Sequence, residues 1–464
     1  MKPLNVSALA IIAVVLSGCA SVPRDEGRAD VGQLLADRGL LSAASTGMES
    51  STRLAPSNPL TPDAAVQLAL ANSPEVRRIY ADLGFSAAEL YDAGRLANPV
   101  LSAARFTTND PAAIDTKLSL GIAFDITDIL LQPARKRFSA TQFAATKLAV
   151  GDATLRLVAD VKTAWYDLAI AEQRADLKHA IAESAAASAA LAQRFFDAGN
   201  ISARELAMEK SAAGAARADS LEASAAATAA RTRLNLQMGL PATQDSWELD
   251  VQLDQELPEP PAMVVLLEQA RTQRLDIAEA EMRSKALARR YGLERRSRLV
   301  NGIELGYERE RDFDGSISKG PGISLELPLF NWGGGRVRAA KASLAVAEAE
   351  LDQRVLAAGA EVKSAWVEAS AAYARVSLYR DEIIPQRKEV SARVSEEMNY
   401  MLVSVFEALS AKQGEYTAYD DYLAALNDYW RSTVALARAV GGQLPEPVEE
   451  VSAEKSTDEH ATHH

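Results

Sequence analysis

The chain repeats Val161-Lys162-Thr163-Ala164-Trp165 as Val362-Lys363-Ser364-Ala365-Trp366, 201 positions later. Upstream, Gly121-Ile122-Ala123-Phe124-Asp125-Ile126 is matched at the same spacing by Gly322-Ile323-Ser324-Leu325-Glu326-Leu327. A repeat of this length is far longer than a solenoid unit. The sequence therefore predicts two similar halves packed about a pseudo-symmetry axis.

The composition favours long helices and excludes nucleic acid as a partner. The 464-residue chain is rich in alanine and only 6% aromatic, which is typical of long helices with thin interfaces. The formal net charge is -13, whereas phosphate binding needs clustered Lys and Arg. The arginines between Arg289 and Arg298 are interpreted as a solvated helix face.

The N-terminus is typical of a secreted lipoprotein. The apolar run from Leu4 to Leu16 has the length of a signal-peptide core and is too short to span a bilayer. It ends in Leu16-Ser17-Gly18-Cys19, which resembles a bacterial lipobox. We therefore predict that residues 1–18 are a lipoprotein signal peptide and that Cys19 is acylated. The alternative is an ordinary signal peptide that ends beside a cysteine by chance.

The residues around Cys19 carry two further predictions. Cys19 is the only cysteine, so the chain forms no internal disulfide. Ala20 follows it in place of an aspartate, which in the lipoprotein class favours the outer membrane. No other stretch approaches 18 consecutive apolar residues, so a chain that spans a bilayer must do so with β-strands.

Each half contains two segments in which apolar and polar residues alternate. Between Leu118 and Ile126, the large apolar residues occupy every second position and Ser119, Gly121, Ala123 and Asp125 lie between them. This period of two is typical of strands with one apolar face. We predict strands at about residues 99–107, 118–126, 302–310 and 321–329. Their length suits tilted transmembrane strands, although a soluble hairpin that covers a core would show the same pattern.

A short helix pair precedes each strand pair, and two long helices follow it. The long helices are predicted at about 134–196 and 202–238, and again at 336–399 and 404–440 with Pro385 as a local interruption. Their heptad-like apolar spacing predicts supercoiled helices in side-by-side contact. The predicted domains are a signal peptide (1–18), a lipid-anchored extended tether (19–60), a first repeat (61–241), a linker (242–262), a second repeat (263–442) and a disordered acidic tail (443–464).

One segment links this organisation to a known family. Leu327-Pro328-Leu329-Phe330-Asn331-Trp332-Gly333-Gly334-Gly335-Arg336 resembles the run between the last barrel strand and a long periplasmic helix in TolC-type outer-membrane factors. The resemblance covers about residues 60–442. In the first half, Phe124-Asp125-Ile126-Thr127-Asp128-Ile129-Leu130 lacks the Trp-Gly pair, so we expect a different exit from that strand.

Four strands cannot close a barrel, because small barrels begin at about eight strands. An open sheet in lipid would leave its edges unsatisfied, whereas three copies supply about twelve strands. The expected fold class is therefore mainly α with a transmembrane β part. The resemblance implies a homotrimer with a 12-stranded barrel, a periplasmic α-helical tunnel, and contacts with outer-membrane lipid.

The tips of the two long helical hairpins are the first candidate site. The resemblance implies that such tips contact a periplasmic adaptor and form the constricted entrance, although plain turns remain the alternative. Met401 stands where the first tip has Gly199, which leaves the geometry of the second turn open. The candidate residues are Asp197, Gly199, Asn200, Asn399, Tyr400 and Met401.

Acidic and histidine residues supply the other candidates. Asp125, Glu304, Glu308 and Glu326 lie on the polar strand faces and are candidates to line the lumen, where they would favour cations. The alternative is a wide, unselective channel. His460, His463 and His464 in the tail are a candidate metal site, against the alternative of a polar tail without one.

No catalytic motif is present. The sequence lacks a His/Cys metal cluster, a nucleophile elbow and a phosphate-loop lysine, so we predict neither an enzyme nor a cofactor. We predict instead the outer-membrane channel of a tripartite efflux system, driven by an inner-membrane pump through a periplasmic adaptor. The segment from Met401 to Glu407 resembles family members associated with heavy-metal efflux, so metal cations are the expected substrate. The alternatives are a type I protein-secretion duct and a non-conducting coiled-coil scaffold.

Overall fold

The computed structural model describes residues 23–40, 55–108, 116–244, 246–250, 257–299 and 302–445. The signal peptide, Cys19, His460, His463 and His464 lie outside the described residues. The short helices are α1 (Arg28–Ala36), α2 (Pro62–Asn72), α3 (Pro74–Ala93), α6 (Met263–Gln273) and α7 (Leu275–Ser297). The long helices are α4 (Ile126–Asp197), α5 (Ala203–Gln237), α8 (Gly334–Leu378), α9 (Ile384–Asn399) and α10 (Val405–Ala439), and the strands are β1 (Val100–Thr107), β2 (Thr116–Asp125), β3 (Ile303–Arg311) and β4 (Ile317–Leu325). None of the described helices combines the length and apolar character needed to cross a membrane.

The four strands form one antiparallel sheet in the order β1-β2-β3-β4. Each repeat contributes one hairpin, and β2 pairs with β3 to join them, with Asp125 opposite Glu304 and Leu118 opposite Arg311. The fold class predicted from the sequence is confirmed at this level, as a mostly helical chain with a small four-stranded sheet.

The last strand lies four residues earlier than predicted. β4 runs from Ile317 to Leu325 and not over residues 321–329. Its register is set by the short turn after β3, so Leu325 is already opposite Ile303, the first residue of β3. The residues after Leu325 therefore have no partner strand, although Glu326 N still donates a hydrogen bond to Gly302 O at 3.3 Å.

The exits from the two strand pairs differ, as the missing Trp-Gly pair predicted. β2 continues directly into α4, which begins eight residues before the predicted start and contains Pro133. Asp125 accepts a hydrogen bond from Asp128 N at 3.0 Å, which supplies an acceptor for a free amide of the first turn. In the second half, residues 326–333 separate β4 from α8.

Part of the predicted extended tether is helical. α1 spans nine residues, and its Val31 and Leu35 are buried. They pack with Ile79 and Leu83 of α3 and with Phe143 of α4. The apolar side chains at this spacing form one helix face, so their burial outweighs the weak helical signal of the segment.

The chain divides into two compact units. One consists of residues 1–54, 67–158 and 274–358, and the other of residues 55–66, 159–273 and 359–464. The first unit contains the sheet and the core around α1 and α3. The second contains a core that includes Leu266, Val362 and Leu436.

The repeated tryptophans have equivalent partners within the second unit. Trp165 Nε1 donates a hydrogen bond to Leu60 O at 3.0 Å, and Trp366 Nε1 donates one to Pro261 O at 2.8 Å. Each carbonyl lies just before the first short helix of its repeat. The repeated pentapeptide therefore ties a long helix to the start of its own repeat.

Candidate functional site

The two faces of the sheet differ in polarity. The pairing register places most of the large apolar side chains of the four strands on one face, which we call the apolar face; Val100 and Phe106 of β1 lie on the other. An exposed surface with this many large apolar side chains indicates contact with lipid or with another protein. Its exposed members include Leu101, Leu118, Leu120, Ile122, Phe124, Leu305, Tyr307, Ile317, Ile323 and Leu325.

The opposite face carries the acidic residues predicted to line a lumen. Asp125 lies directly opposite Glu304, and Glu308 lies opposite Gly121 on the same face. Like charges directly opposite each other on two strands repel, so the Asp125 and Glu304 pair concentrates negative charge where β2 ends and α4 begins. The sequence predicted that these acidic residues lie on the polar faces of their strands. Only the pairing register of β2 with β3 shows that Asp125 and Glu304 are direct neighbours.

Asp125 and Glu326 also line a cavity of about 640 Å³ where the sheet meets its helices. Thr127 lies in the same cavity and accepts a hydrogen bond from Ile303 N at 2.8 Å. Arg135 and Arg336 contribute positive charge to the lining. Glu326 therefore lines a cavity that also contains cationic side chains, whereas Glu304 lies outside that lining.

The first helical tip is a tight turn between α4 and α5. Gly199 has a φ of 76°, and Asn200 N donates a hydrogen bond to Phe195 O at 2.8 Å, the pattern of a Schellman C-cap. Ser202 and Glu205 then form a reciprocal capping box at the start of α5. Asp197 accepts a hydrogen bond from Gln193 Nε2 at 2.8 Å, so it is held along α4.

The second tip, between α9 and α10, has the same turn despite its different sequence. Met401 has a φ of 60°, and Leu402 N donates a hydrogen bond to Glu397 O at 2.9 Å. Ser404 caps α10 by accepting from Glu407 N at 3.2 Å. Met401 thus takes the left-handed conformation of Gly199, which costs a non-glycine residue about 1 kcal/mol.

The tips present apolar side chains together. Phe195 contacts Phe406 edge to face, with ring centroids 6.3 Å apart, so the two tips are neighbours within one chain. Tyr400 is 79% exposed and Met401 is 94% exposed. Strain in an exposed apolar residue is typical of a binding element, and nothing in the turn itself requires a methionine.

An ion-pair network that the sequence did not predict joins the two long hairpins. Asp420 of α10 accepts a hydrogen bond from Arg174 Nε at 2.7 Å and lies 2.9 Å from Lys178 Nζ, both on α4. Burial alone would raise the pKa of Asp420, but the bonds from Arg174 and Lys178 outweigh it and hold that pKa below its usual value. No local motif marks these residues, because the partners are 246 positions apart.

Among the residues that the structure describes, no group of three or more His, Cys, Asp or Glu side chains is arranged to hold a metal ion. His179 lies 3.5 Å from Glu183 on the surface of α4. The three tail histidines lie outside the described part of the chain, so their metal site stays a prediction.

Comparison with known proteins identifies the architecture. Residues 266–442 match the family model described as outer membrane efflux protein. The Campylobacter jejuni CmeC outer membrane channel has a TM-score of 0.71 and 19% identity, covering 82% of this chain and 86% of that one. The outer-membrane channel OprN has a TM-score of 0.67 and 20% identity, covering 82% and 90%. The open-state Neisseria gonorrhoeae MtrE outer membrane channel has a TM-score of 0.66 and 17% identity, covering 82% and 88%.

These structural likenesses show the fold, since the identities are low. No curated protein sequence matches the chain significantly. The family match over residues 266–442 and the likeness to the three channel structures agree with the resemblance found in the sequence.

Proposed function

We propose, because residues 266–442 carry an outer membrane efflux protein domain, that the chain is the passive exit duct of a tripartite efflux system. Three copies surround one pore. A periplasmic adaptor connects the trimer to an inner-membrane pump, and the pump supplies the driving force. The protein itself makes and breaks no bonds.

The observation that carries the proposal is the open sheet with one apolar face. In the described chain, β1 and β4 each pair on one side only, which leaves two strand edges. Unsatisfied edges are costly in lipid, and three copies of a four-stranded sheet close into a barrel of twelve strands. The apolar face then contacts lipid, and Asp125, Glu304 and Glu308 face the pore.

The two ends of the sheet suggest how the chain is oriented across the membrane. The turn between β3 and β4 lies at one end of the strands, and α4 leaves β2 at the other end. α4 alone has 72 residues, about 108 Å of helix at 1.5 Å per residue. We place the turns outside the cell and the long helices in the periplasm.

The tips are the proposed contact with the adaptor. Tyr400, Met401 and Leu402 are exposed at the end of the second hairpin, and Asp197, Gly199, Asn200 and Asn399 lie at the neighbouring turns. Six such tips in a trimer form a ring that matches an adaptor ring. A type I protein-secretion duct would use the same geometry and is the second candidate. A scaffold would not need the exposed apolar face.

Metal cations are the proposed substrate class. The acidic pore face favours cations, and the segment from Met401 to Glu407 resembles members of heavy-metal systems. His460, His463 and His464 would add borderline metal ligands in the tail. Acylated Cys19 would anchor the chain to outer-membrane lipid in addition to the barrel.

Native mass spectrometry and planar-bilayer conductance of the detergent-purified protein test the proposal together. We expect a trimer and steady single-channel currents. A stable monomer without conductance would refute the duct and favour the scaffold.

A further inference from the structure

Four basic residues lie on the otherwise apolar face of the sheet. Arg105 and Arg311 flank Leu118 in one row across the strands, and Arg309 lies directly opposite Lys319 in the next row. All four side chains are exposed. We call Arg105, Arg309, Arg311 and Lys319 the basic cluster.

Among the residues that the structure describes, the cluster has no acidic neighbours on its own face of the sheet. None of its members forms an ion pair with a described residue, whereas Lys117 on the opposite face lies 2.5 Å from Glu310 and 3.7 Å from Asp312. The alternation of the strands places Glu304, Glu308 and Glu310 with Lys117 on that opposite face. Like charges directly across two strands, as for Arg309 and Lys319, are destabilising. A bound external anion would relieve this repulsion.

The position of the cluster selects the kind of anion. Its two rows are the ones nearest the β3–β4 turn, and the apolar face continues below them through Tyr307, Ile122 and Leu305. On the lipid face of a barrel, Arg or Lys costs about 2–4 kcal/mol at the bilayer midplane but only about 0–1 kcal/mol near the interface. The cluster therefore suits the headgroup level and the apolar rows suit acyl chains.

We propose that the basic cluster binds the phosphate groups of lipid A, the anionic glycolipid of the outer leaflet, while its acyl chains cover the apolar face below. Neighbouring strands are about 4.8 Å apart and successive rows about 6.8 Å apart, so the cations can reach phosphates from one side. Arginine binds phosphate in a bidentate manner. The inference rests on the proposed membrane orientation.

The test compares Arg309→Gln/Lys319→Gln with Lys117→Gln, a control on the opposite face that lies next to Leu118 on β2. Binding of lipid A to the detergent-purified trimer is measured beside binding of dephosphorylated lipid A and of inorganic phosphate. Each cation near an anionic membrane surface contributes about fivefold in affinity. We expect lipid A to bind the double variant at least tenfold more weakly and the control unchanged.

The outcomes separate this inference from the proposed function. Equal lipid A binding by wild type and double variant in an intact, conducting trimer overturns the lipid site alone. Equal binding of dephosphorylated lipid A also overturns it, and tight binding of inorganic phosphate alone shows a soluble-anion site instead. A wild-type monomer that does not conduct overturns both proposals.

Discussion

The ring of Tyr166 stacks on the indole of Trp430, with centroids 4.6 Å apart and planes 5° apart. Tyr166 belongs to α4 in the first repeat and Trp430 to α10 in the second. Trp165, the residue before Tyr166 on α4, instead donates a hydrogen bond to the carbonyl oxygen of Leu60, just before the first helix of the first repeat. Adjacent positions of α4 therefore serve two purposes, since one anchors a repeat internally and the other joins the repeats.

Replacing Tyr166 with alanine should lower the stability of the chain. The change removes the stack and leaves a void, which costs about 3–5 kcal/mol for a fully buried aromatic ring and less, about 2 kcal/mol, for the half-buried Tyr166. Thermal unfolding followed by circular dichroism measures the effect. Tyr166→Phe keeps the ring and is the control, because burial already raises the pKa of Tyr166 to about 12 and keeps its hydroxyl neutral. Equal losses in both variants would show that the hydroxyl, not the stack, matters.

Met401→Gly should stabilise the second tip and weaken adaptor binding. Glycine adopts a φ of 60° without strain, which recovers about 1 kcal/mol, while the exposed apolar side chain is lost. Hydrogen exchange at the tip and adaptor pull-down measure the two effects separately. Unchanged adaptor binding would argue that Met401 is only a turn residue.

Gly199→Ala provides the reciprocal change at the first tip. A Cβ there would meet nothing within 4 Å, so any loss reflects backbone strain at a φ of 76°. We expect a cost of about 1 kcal/mol, measured as faster hydrogen exchange at residues 195–202. An unchanged exchange rate would mean that the turn has relaxed to another conformation.

Asp420→Asn should weaken the link between α4 and α10 in a pH-dependent manner. Because the pKa of Asp420 is lowered in the folded state, its stabilisation is present above its unfolded pKa of about 3.9 and is lost as pH falls through the lower folded value. We expect a loss of about 2 kcal/mol at pH 7 that disappears in strong acid. Glu183→Gln, which alters an exposed pair with His179, should change little at either pH. A constant difference between wild type and Asp420→Asn across the range would contradict the linkage.

Glu304→Gln with Asp125→Asn should reduce the preference of the pore for cations. The two carboxylates pair across β2 and β3, and their removal lowers the negative potential on that face. The reversal potential in a salt gradient should move toward zero. Arg309→Gln on the apolar face is the control and should leave the reversal potential unchanged. A shift in both variants would contradict the assignment of one face of the sheet to the pore and the other to lipid.

Cys19→Ser should abolish lipoprotein processing. The variant would keep its signal peptide and lack acyl chains, which the intact mass of membrane-extracted protein reports. Trimers should still insert through the strands, with reduced yield. An identical mass apart from the single-atom exchange would refute the lipobox prediction.

Much of the fold could be predicted from local spacing. The alternation between Leu118 and Ile126 indicated a strand with one apolar face, and the proline-free stretch after Pro133 indicated a long helix. The predicted end of β4 was wrong. Apolar and polar residues keep alternating up to Leu327, but the last pair between β3 and β4 is Ile303 with Leu325. The helix in the predicted tether was missed because its burial depends on residues of α3 and α4.

The sequence by itself determined the duplication, the order of the repeated elements and the polarity of β2, since these depend on residues close together in the chain. Only the tertiary structure decided the pairing of β2 with β3, which sets Asp125 opposite Glu304 and gathers the basic cluster on one face. It also decided that Met401 adopts the conformation of Gly199 and that Asp420 meets Arg174. Partners of this kind are far apart in sequence. Packing brings them together, and no local sequence pattern predicts the contact.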